Sequence, residues 1–504
     1  MALEFFLAKN SMKSARANGV TLHSAYNPEV EGQRFAQGLK LDFNPKLIVI
    51  MEGALSYCAP FIKKIYNGAK VGCVRFSASF SESDKEWDFV LCLNDNGADG
   101  FEGRPLSSRL FDLMGEEGLF QSAFFDWKPS ADAWPNESKS AWEQTKEALE
   151  KAKAVLATRE HFGKRWLKNK VAFFSRIQKT LWLKKTSVPV LICASGPSLE
   201  GALESIKKVR EKIFVCALSS AISVLERFDI RPDLALSADG GWWAKRHLYP
   251  LKTSFSAIPL AIEAESACPS FALEKSEILP LCYDDDTVGK KLYDALGVKS
   301  LAARRNGTVS GSALELFLTL TSGEIYFAGL DLSPSKSKSH ASPNILEKER
   351  EAMDYRLMTK ATRQAAAALP SESLKIYEDW FKSFDLKGRK VFRIEGEKKF
   401  LNSLGQIQDI SAGDFAERLK KEKSVNASDL FERQKDLPCN KERRRLVKKI
   451  ILDWSATENF YQELFPADSI LLRRAASKED ADERKKALED KKAKTLAKLF
   501  GGKE

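Results

Sequence analysis

From Val188 onward the chain repeats one theme: a short apolar run, a small or acidic polar residue, then a turn or a helix start. Val188–Ala194 ends at Ser195, Lys212–Leu218 at Ser219, and Leu234–Ala238 at Asp239. Ala257–Ile262 and Ile278–Leu281 follow, and Glu324–Ala328 ends at Gly329-Leu330-Asp331. The runs are rich in β-branched residues and too short for helices, which is the pattern of strands buried on both faces of a parallel sheet. Ligands of such sheets sit at the carboxyl ends of the strands. Ser195, Ser219, Asp239 and Asp331 therefore form a polar rim where a site is expected.

The first of these turns is Ser195-Gly196-Pro197-Ser198-Leu199. Gly196 allows a sharp bend, and Pro197 suits a first helical position, where a missing N–H costs nothing. Ser198 adds a hydroxyl beside the unpaired N–H groups of a starting helix. The turn reads as an anion pocket, with phosphate as the expected guest. Arg304-Arg-Asn-Gly-Thr-Val-Ser-Gly-Ser312 leads into a second apolar helix, Ala313–Leu320. There Gly307, Thr308, Ser310 and Gly311 offer another set of donors.

A chain of 504 residues exceeds one core, and about three domains of roughly 100–200 residues are expected. An α/β segment at 1–132 holds strands near Leu47–Ile50, Gly72–Phe76 and Phe89–Leu93, with a helix near Cys58–Tyr66. Residues 133–186 read as a helical connector of two amphipathic helices, 187–345 as the central sheet domain, and 346–504 as a mainly helical domain. A Trp/Phe patch around Trp380 and a strand at Lys390–Ile394 interrupt that last segment, and there is no internal repeat.

The net charge of +11 leaves acidic partners open, but no helix-turn-helix, finger or RNA-binding signature accompanies it, so no nucleic acid is expected. Much of the excess lies in Arg443–Lys449 and the Lys-rich tail, interleaved with acids as on a solvated helix face. The eight cysteines form no Cys-x-x-Cys pair, which suits buried thiols in a reducing compartment rather than disulfides or zinc. No apolar run approaches the ~20 residues of a membrane span. Glu4 stands where a secretory leader would carry positive charge. The expected location is cytoplasmic, with no transmembrane segment.

Asp284-Asp285-Asp286 has two readings: an acidic cap on the helix Thr287–Leu296, or a divalent-ion site through Asp284 and Asp286. His23 among turn-formers, His161 on a helix and His247 after Trp242-Trp243 read as structural. His340, judged by its Ser/Lys-rich surroundings alone, reads as an exposed loop histidine.

Taken in order, Gly196-Pro-Ser-Leu199, Ile230-x-Pro-Asp233, Asp239, Gly307-x-x-Ser310-Gly-Ser-Ala313 and Ile325–Leu332 with His340-Ala341 resemble the motility-associated factor family. These are bacterial glycosyltransferases of flagellin that share a central domain with archaeal 6-hydroxymethylpterin diphosphokinases. Leu22–Pro28 with Glu29 and Glu31 is similar to that family's N-terminal signature, and Trp166-x-x-Asn169 to the start of its central region. Met51–Tyr57 departs from the family pattern, with fewer glycines after the first-domain strand.

The resemblance implies an α/β protein: a Rossmann-like N-terminal domain, a central sialyltransferase-like doubly wound parallel sheet domain and a helical C-terminal domain. It implies transfer of a pseudaminic- or legionaminic-type nonulosonic acid from a CMP-activated donor to Ser or Thr of flagellin. No tightly bound cofactor is implied, and a divalent metal is left open. Ser195, Gly196, Pro197, Ser198 and Leu199 would hold the phosphate. Ser219, Gly307, Thr308, Ser310 and Gly311 would complete the nucleotide-sugar site, and Asp239 and Asp331 would accept from ribose, base or sugar hydroxyls. His340, with Asp331, would be catalytic, His340 as the base that deprotonates the acceptor alcohol. Lys336 and Lys338 would neutralise phosphate. Two alternatives stay open: an ATP-dependent diphosphokinase-like enzyme, and a non-enzymatic flagellin-binding factor.

Overall fold

The computed structural model describes residues 3–94, 104–332, 340–362, 372–397, 399–475 and 477–501. Two compact units emerge, Met1–Lys164 with Ser455–Glu504, and Arg165–Trp454.

The first unit begins with an antiparallel sheet of Leu3–Leu7 (β1), Lys13–Ala17 (β2) and Val20–Thr21 (β3). A parallel sheet follows: Leu47–Met51 (β4), Lys70–Arg75 (β5), Phe89–Cys92 (β6) and Ser122–Asp126 (β7), in spatial order β6-β5-β4-β7. Three of its four strands were legible as apolar runs. Ser122–Asp126, half-buried at the edge, was not. Beyond β4 the chain runs through Glu52, Ala54 and Ser56, all with left-handed backbone (φ 47°, 45° and 65°). They lie in the turn Met51–Tyr57, which has fewer glycines than the family pattern. The buried Arg75 guanidinium holds them in place by donating to Glu52 Oε1 (2.8 Å), the Ala54 carbonyl (2.7 Å) and Ser56 Oγ (3.0 Å). That crevice is filled by the protein's own ion pair. His23 is buried there, accepting from the Leu55 N–H at 3.0 Å, a structural histidine as expected.

The second unit is built on an eleven-stranded sheet. Its members are Lys179–Leu183 (β8), Val190–Cys193 (β9), Phe214–Leu218 (β10), Leu234–Ser237 (β11), Leu260–Glu263 (β12) and Glu277–Tyr283 (β13). Leu301–Ala303 (β14), Ile325–Ala328 (β15), Val391–Ile394 (β16), Gln408–Ile410 (β17) and Phe431–Arg433 (β18) complete it. The order is β17-β16-β15-β9-β10-β11-β12-β13-β8-β18, with β14 also on β13. All pairings are parallel except β18 on β8. The strands β9 to β12 are buried on both faces, which is why they read as unbroken apolar runs.

Two expectations about organisation change. The two helices expected in the connector form one continuous helix, Pro135–Arg176. The segment after 345 is mainly helical but not a separate domain: it supplies β16, β17 and β18 to the large sheet, and Ser455–Glu504 groups with the first unit. The physical reason is that β15 has an open edge, which β16 and then β17 cover. Trp380 and Phe384 pack on the central core and Phe381 is buried in it, so that aromatic patch is a packing feature.

Candidate functional site

The chain lays β9 to β13 side by side in sequence order, then returns β15 to the opposite side of β9. The boundary between β9 and β15 is thus the point where strand order reverses, and a crevice opens there at the carboxyl ends. The turn after β9 and the loop after β15 meet at this point. Gly196 N–H donates to the Gly329 carbonyl (2.8 Å) and Ala194 N–H to that of Ala328 (2.8 Å). Gly329, at φ +78°, passes so close to Ala194 that a Cβ there would lie 2.3 Å from its carbonyl oxygen.

Asp331 enters this turn. Ser198 Oγ donates to Asp331 Oδ2 at 2.8 Å, and the Ser198 N–H points at both carboxylate oxygens, at 3.2 and 3.3 Å. A Cβ on Gly196 would come within 2.1 Å of the same carboxylate, so glycine is required for the approach. This corrects the expectation of a vacant phosphate cradle. The N–H groups of Leu199 and Glu200 close turns onto Gly196 and Pro197. Every backbone donor from Gly196 to Glu200 is therefore in use, Pro197 having none. The anion at the start of the helix Leu199–Val209 is Asp331 itself. Burial pushes its pKa above the ordinary value, against the pull of the Ser198 donors and of Arg393.

Arg393 on β16 fixes the loop from behind. It is fully buried, grips Asp409 through two bonds (2.7 and 2.9 Å), and reaches the Leu330 carbonyl at 3.4 Å. Asn402, which accepts from Arg393, donates to the Asp331 carbonyl at 3.2 Å.

The chain comes back to the same turn after the loop beyond β15. Ala341 N–H donates to the Ser195 carbonyl (2.8 Å) and Ser342 N–H to Glu200 Oε1 (2.7 Å). His340 is thereby held beside the turn. His340 is exposed, as its Ser/Lys-rich surroundings suggested; partial desolvation and then the Arg350 guanidinium disfavour its cation and lower its pKa. It lies within electrostatic reach of His247, which also feels the carboxylate of Asp239. His247 is buried, and burial followed by His340 lowers its pKa to about 4. It is packed, as the reading of a packing or rim residue expected, but local sequence gives no sign that residue 340 returns to residue 247. Lys336 and Lys338 lie outside the described residues.

Asp239 ends β11 and is exposed, its Oδ1 accepting from Gly241 N–H at 2.7 Å. Ser219 is buried at the end of β10. Gly307, Thr308, Ser310 and Gly311 follow β14 at the same edge of the sheet, but other partners hold them. Asn306 Oδ1 accepts from Thr308 N–H (3.3 Å), Gly307 faces Tyr377, and Gly311 packs against Trp380. The helix Val309–Leu320 packs against β14, β11 and β9. The site is thus two groups on one edge: Ser195–Leu199, Asp331 and His340 at the reversal point, and Gly307–Gly311 on a separate loop.

The acidic triplet behaves as a cap. Asp286 accepts from Gly289 N–H (2.8 Å) and from Lys170 Nζ (2.6 Å), while Asp285 faces Arg305 and Asp284 faces Arg304. Oδ1 of Asp286 is taken by a helix end and a lysine, and Asp284 and Asp285 face arginines, the pattern of a cap rather than of a shared divalent-ion site. Among the described residues no cluster of three or more His, Cys, Asp or Glu is placed to hold one.

Sequence reasoning also missed a buried charge cluster next to the β11 loop. Lys170 and Arg305 both pair with Glu265 (3.2 and 2.8 Å), and Asn169 Nδ2 donates to the Glu265 carbonyl at 2.7 Å. Burial and the neighbouring Glu265 push Glu263 well above the ordinary carboxylate range.

These features define an α/β protein whose central parallel sheet carries its candidate site at a reversal of strand order. The family model for 6-hydroxymethylpterin diphosphokinase MptE-like proteins matches residues 141–337. The solved motility-associated factor (MAf) glycosyltransferase of Magnetospirillum magneticum AMB-1 superposes over 99% of this chain and 89% of its own, with a TM-score of 0.52 at 11% identity. That likeness is one of fold. An uncharacterized protein of Treponema pallidum (strain Nichols) is 31% identical over 322 residues, covering 62% of this chain and 70% of the relative. The chain belongs to one family with that Treponema protein, and its central region matches the MptE-like family model. Among the described residues no helix is long and apolar enough to cross a membrane.

Proposed function

We propose that the protein is a glycosyltransferase that moves a nonulosonic acid from a CMP-activated donor to Ser or Thr of flagellin. One observation carries the reading. At the β9–β15 reversal point the Ser195–Leu199 turn, the Asp331 carboxylate and the returning His340 segment are tied together by hydrogen bonds spanning more than 130 residues. Cleaving a CMP–sugar bond leaves negative charge on the nucleotide phosphate and requires a proton to leave the acceptor alcohol. His340 has its pKa lowered and is uncharged near neutrality, so its imidazole can take that proton. His247, its pKa lowered to about 4, stays uncharged near neutrality in the same neighbourhood. Asp331 acts as a positioning residue that locks the turn. Asp239, Ser219 and the Gly307–Gly311 loop offer the hydroxyls, carboxylate and backbone groups that suit ribose, cytosine and sugar.

The test is intact-mass analysis of the cell's flagellin with and without this protein. Loss of a repeated nonulosonic-acid mass increment supports transfer, and an unchanged mass refutes it. The MptE-like match favours a second reading, diphosphate transfer from ATP to a hydroxymethylpterin. Turnover of that substrate that needs ATP and stops in EDTA would replace the first reading.

A further inference from the structure

Beside the His340 segment lies an open pocket of about 910 Å³. Its apolar walls are Tyr249, Pro250, Pro269, Phe271, Pro343 and Ile345. Two of these, Pro343 and Ile345, follow His340 directly in the chain. Tyr249 and Pro250 share the 3-10 segment Ala244–Lys252 with His247. The pocket is therefore built from the same two stretches that hold the paired imidazoles. Arg227, Lys252 and Glu226 also line it, a balance of one positive charge. Neither Arg227 nor Lys252 makes an ion pair among the described residues.

The surface around the pocket is unusual in the same sense. Trp242 and Trp243 stand half exposed, ring to ring, with Lys245 over Trp242 at 4.3 Å. Arg246 pairs with Glu349 on the helix Ile345–Glu351, and past that helix Met353 and Leu357 are 70% and 82% exposed. Exposed large apolar side chains in the stretches that adjoin the pocket mark surface that a partner can cover.

We infer that this pocket and its aromatic rim dock the acceptor as a polypeptide segment, one that inserts an apolar side chain between Tyr249 and Phe271 and sets a carboxylate against Arg227 and Lys252. The inference rests on the transferase reading above. A polypeptide is favoured because ring and proline surface lies beside a polar wall of Ser223, Thr253 and the three charged residues, a mixture that suits an apolar side chain with charged and polar neighbours. The positive balance selects acidic flanks. Presented this way, a Ser or Thr hydroxyl a few residues along the segment comes within reach of His340.

The test uses full-length protein and flagellin monomers purified from cells lacking this protein, so that the acceptor is unmodified. Binding is measured by calorimetry without any donor, at two salt concentrations. CMP binding is followed separately through thermal stabilisation. Arg227→Glu with Lys252→Glu, and in a second variant Tyr249→Ala with Phe271→Ala, should each weaken flagellin binding by roughly tenfold or more. The charge variant should also lose salt dependence, and both should keep the CMP-induced shift. Flagellin binding that is absent in the wild type, or undiminished in both folded variants, overturns the assignment. So does a parallel loss of the CMP shift. If pocket-dependent flagellin binding is found but CMP-sugar is never turned over, the docking surface stands and the transferase reading fails.

Discussion

Ser198→Ala is the sharpest test of the turn described above. The substitution removes one O–H donor, 2.8 Å from a largely buried carboxylate, and leaves the backbone N–H at 3.2–3.3 Å as the remaining Ser198 contact. A hydrogen bond to a charged group contributes about 1.5–3 kcal/mol, and little water can enter to replace it, since Ser198 is itself buried. A loss of about 2 kcal/mol corresponds to a fall in Tm of roughly 3 °C for a unit of this size. The pH dependence gives the signature. The Asp331 pKa is already raised, and the Ser198 hydroxyl is one of the groups holding it down, so the variant's pKa rises further. The gap between wild type and variant should be full where Asp331 is ionised. It should narrow as pH falls through the folded-state pKa, which lies above the ordinary carboxylate value. Differential scanning calorimetry at pH 7.5 and at a series of lower pH values reads both effects. A shift under 1 °C at pH 7.5, or a gap that never narrows on the acid side, would refute the claim that Asp331 is the anion seated at this helix start.

Arg393→Leu leaves the exposed Asp409 carboxylate to water but removes the bonds that the buried guanidinium makes to the Leu330 and Asn402 carbonyls. It should cost about 1–3 kcal/mol by denaturant titration. If His340 is the base, donor-dependent transfer should fall as pH drops through a value below the ordinary histidine range. His340→Gln should remove that acid limb along with most of the rate, measured by CMP release. Cys439 is the exposed cysteine among the described residues, and the buried thiols of Cys58, Cys193 and Cys216 are pushed up by desolvation. A thiol reagent at neutral pH should therefore find one fast site that Cys439→Ser abolishes, and eight after denaturation.

The central sheet was legible because strands covered on both faces must be apolar throughout, and no other element of that length looks the same. Val190–Cys193 and Phe214–Leu218 sit within their expected runs, and Thr287–Leu296 is the helix expected after the acidic triplet. Gln408–Ile410 and Phe431–Arg433 were missed because edge strands are half solvated and carry polar side chains. The Gly196–Ser198 turn was recognisable, but its occupant was not. A carboxylate 133 residues away fills it, and nothing local to residue 198 announces that. The nearness of His247 to His340 was hidden for the same reason.

The reversal of strand order at β9 also sets a sequence of events during synthesis. Strands β9 to β13 can add one beside the next as they emerge, each closing a short loop. The partner for the other side of β9 is not made until Ile325, so a nascent or truncated chain ending near Leu320 carries that strand with one bare apolar edge. The crevice is the last thing such a chain acquires. Fragments stopped short of β15 would expose a sticky edge and be unable to engage substrate, which ties completion of the polypeptide to the onset of whatever chemistry it performs.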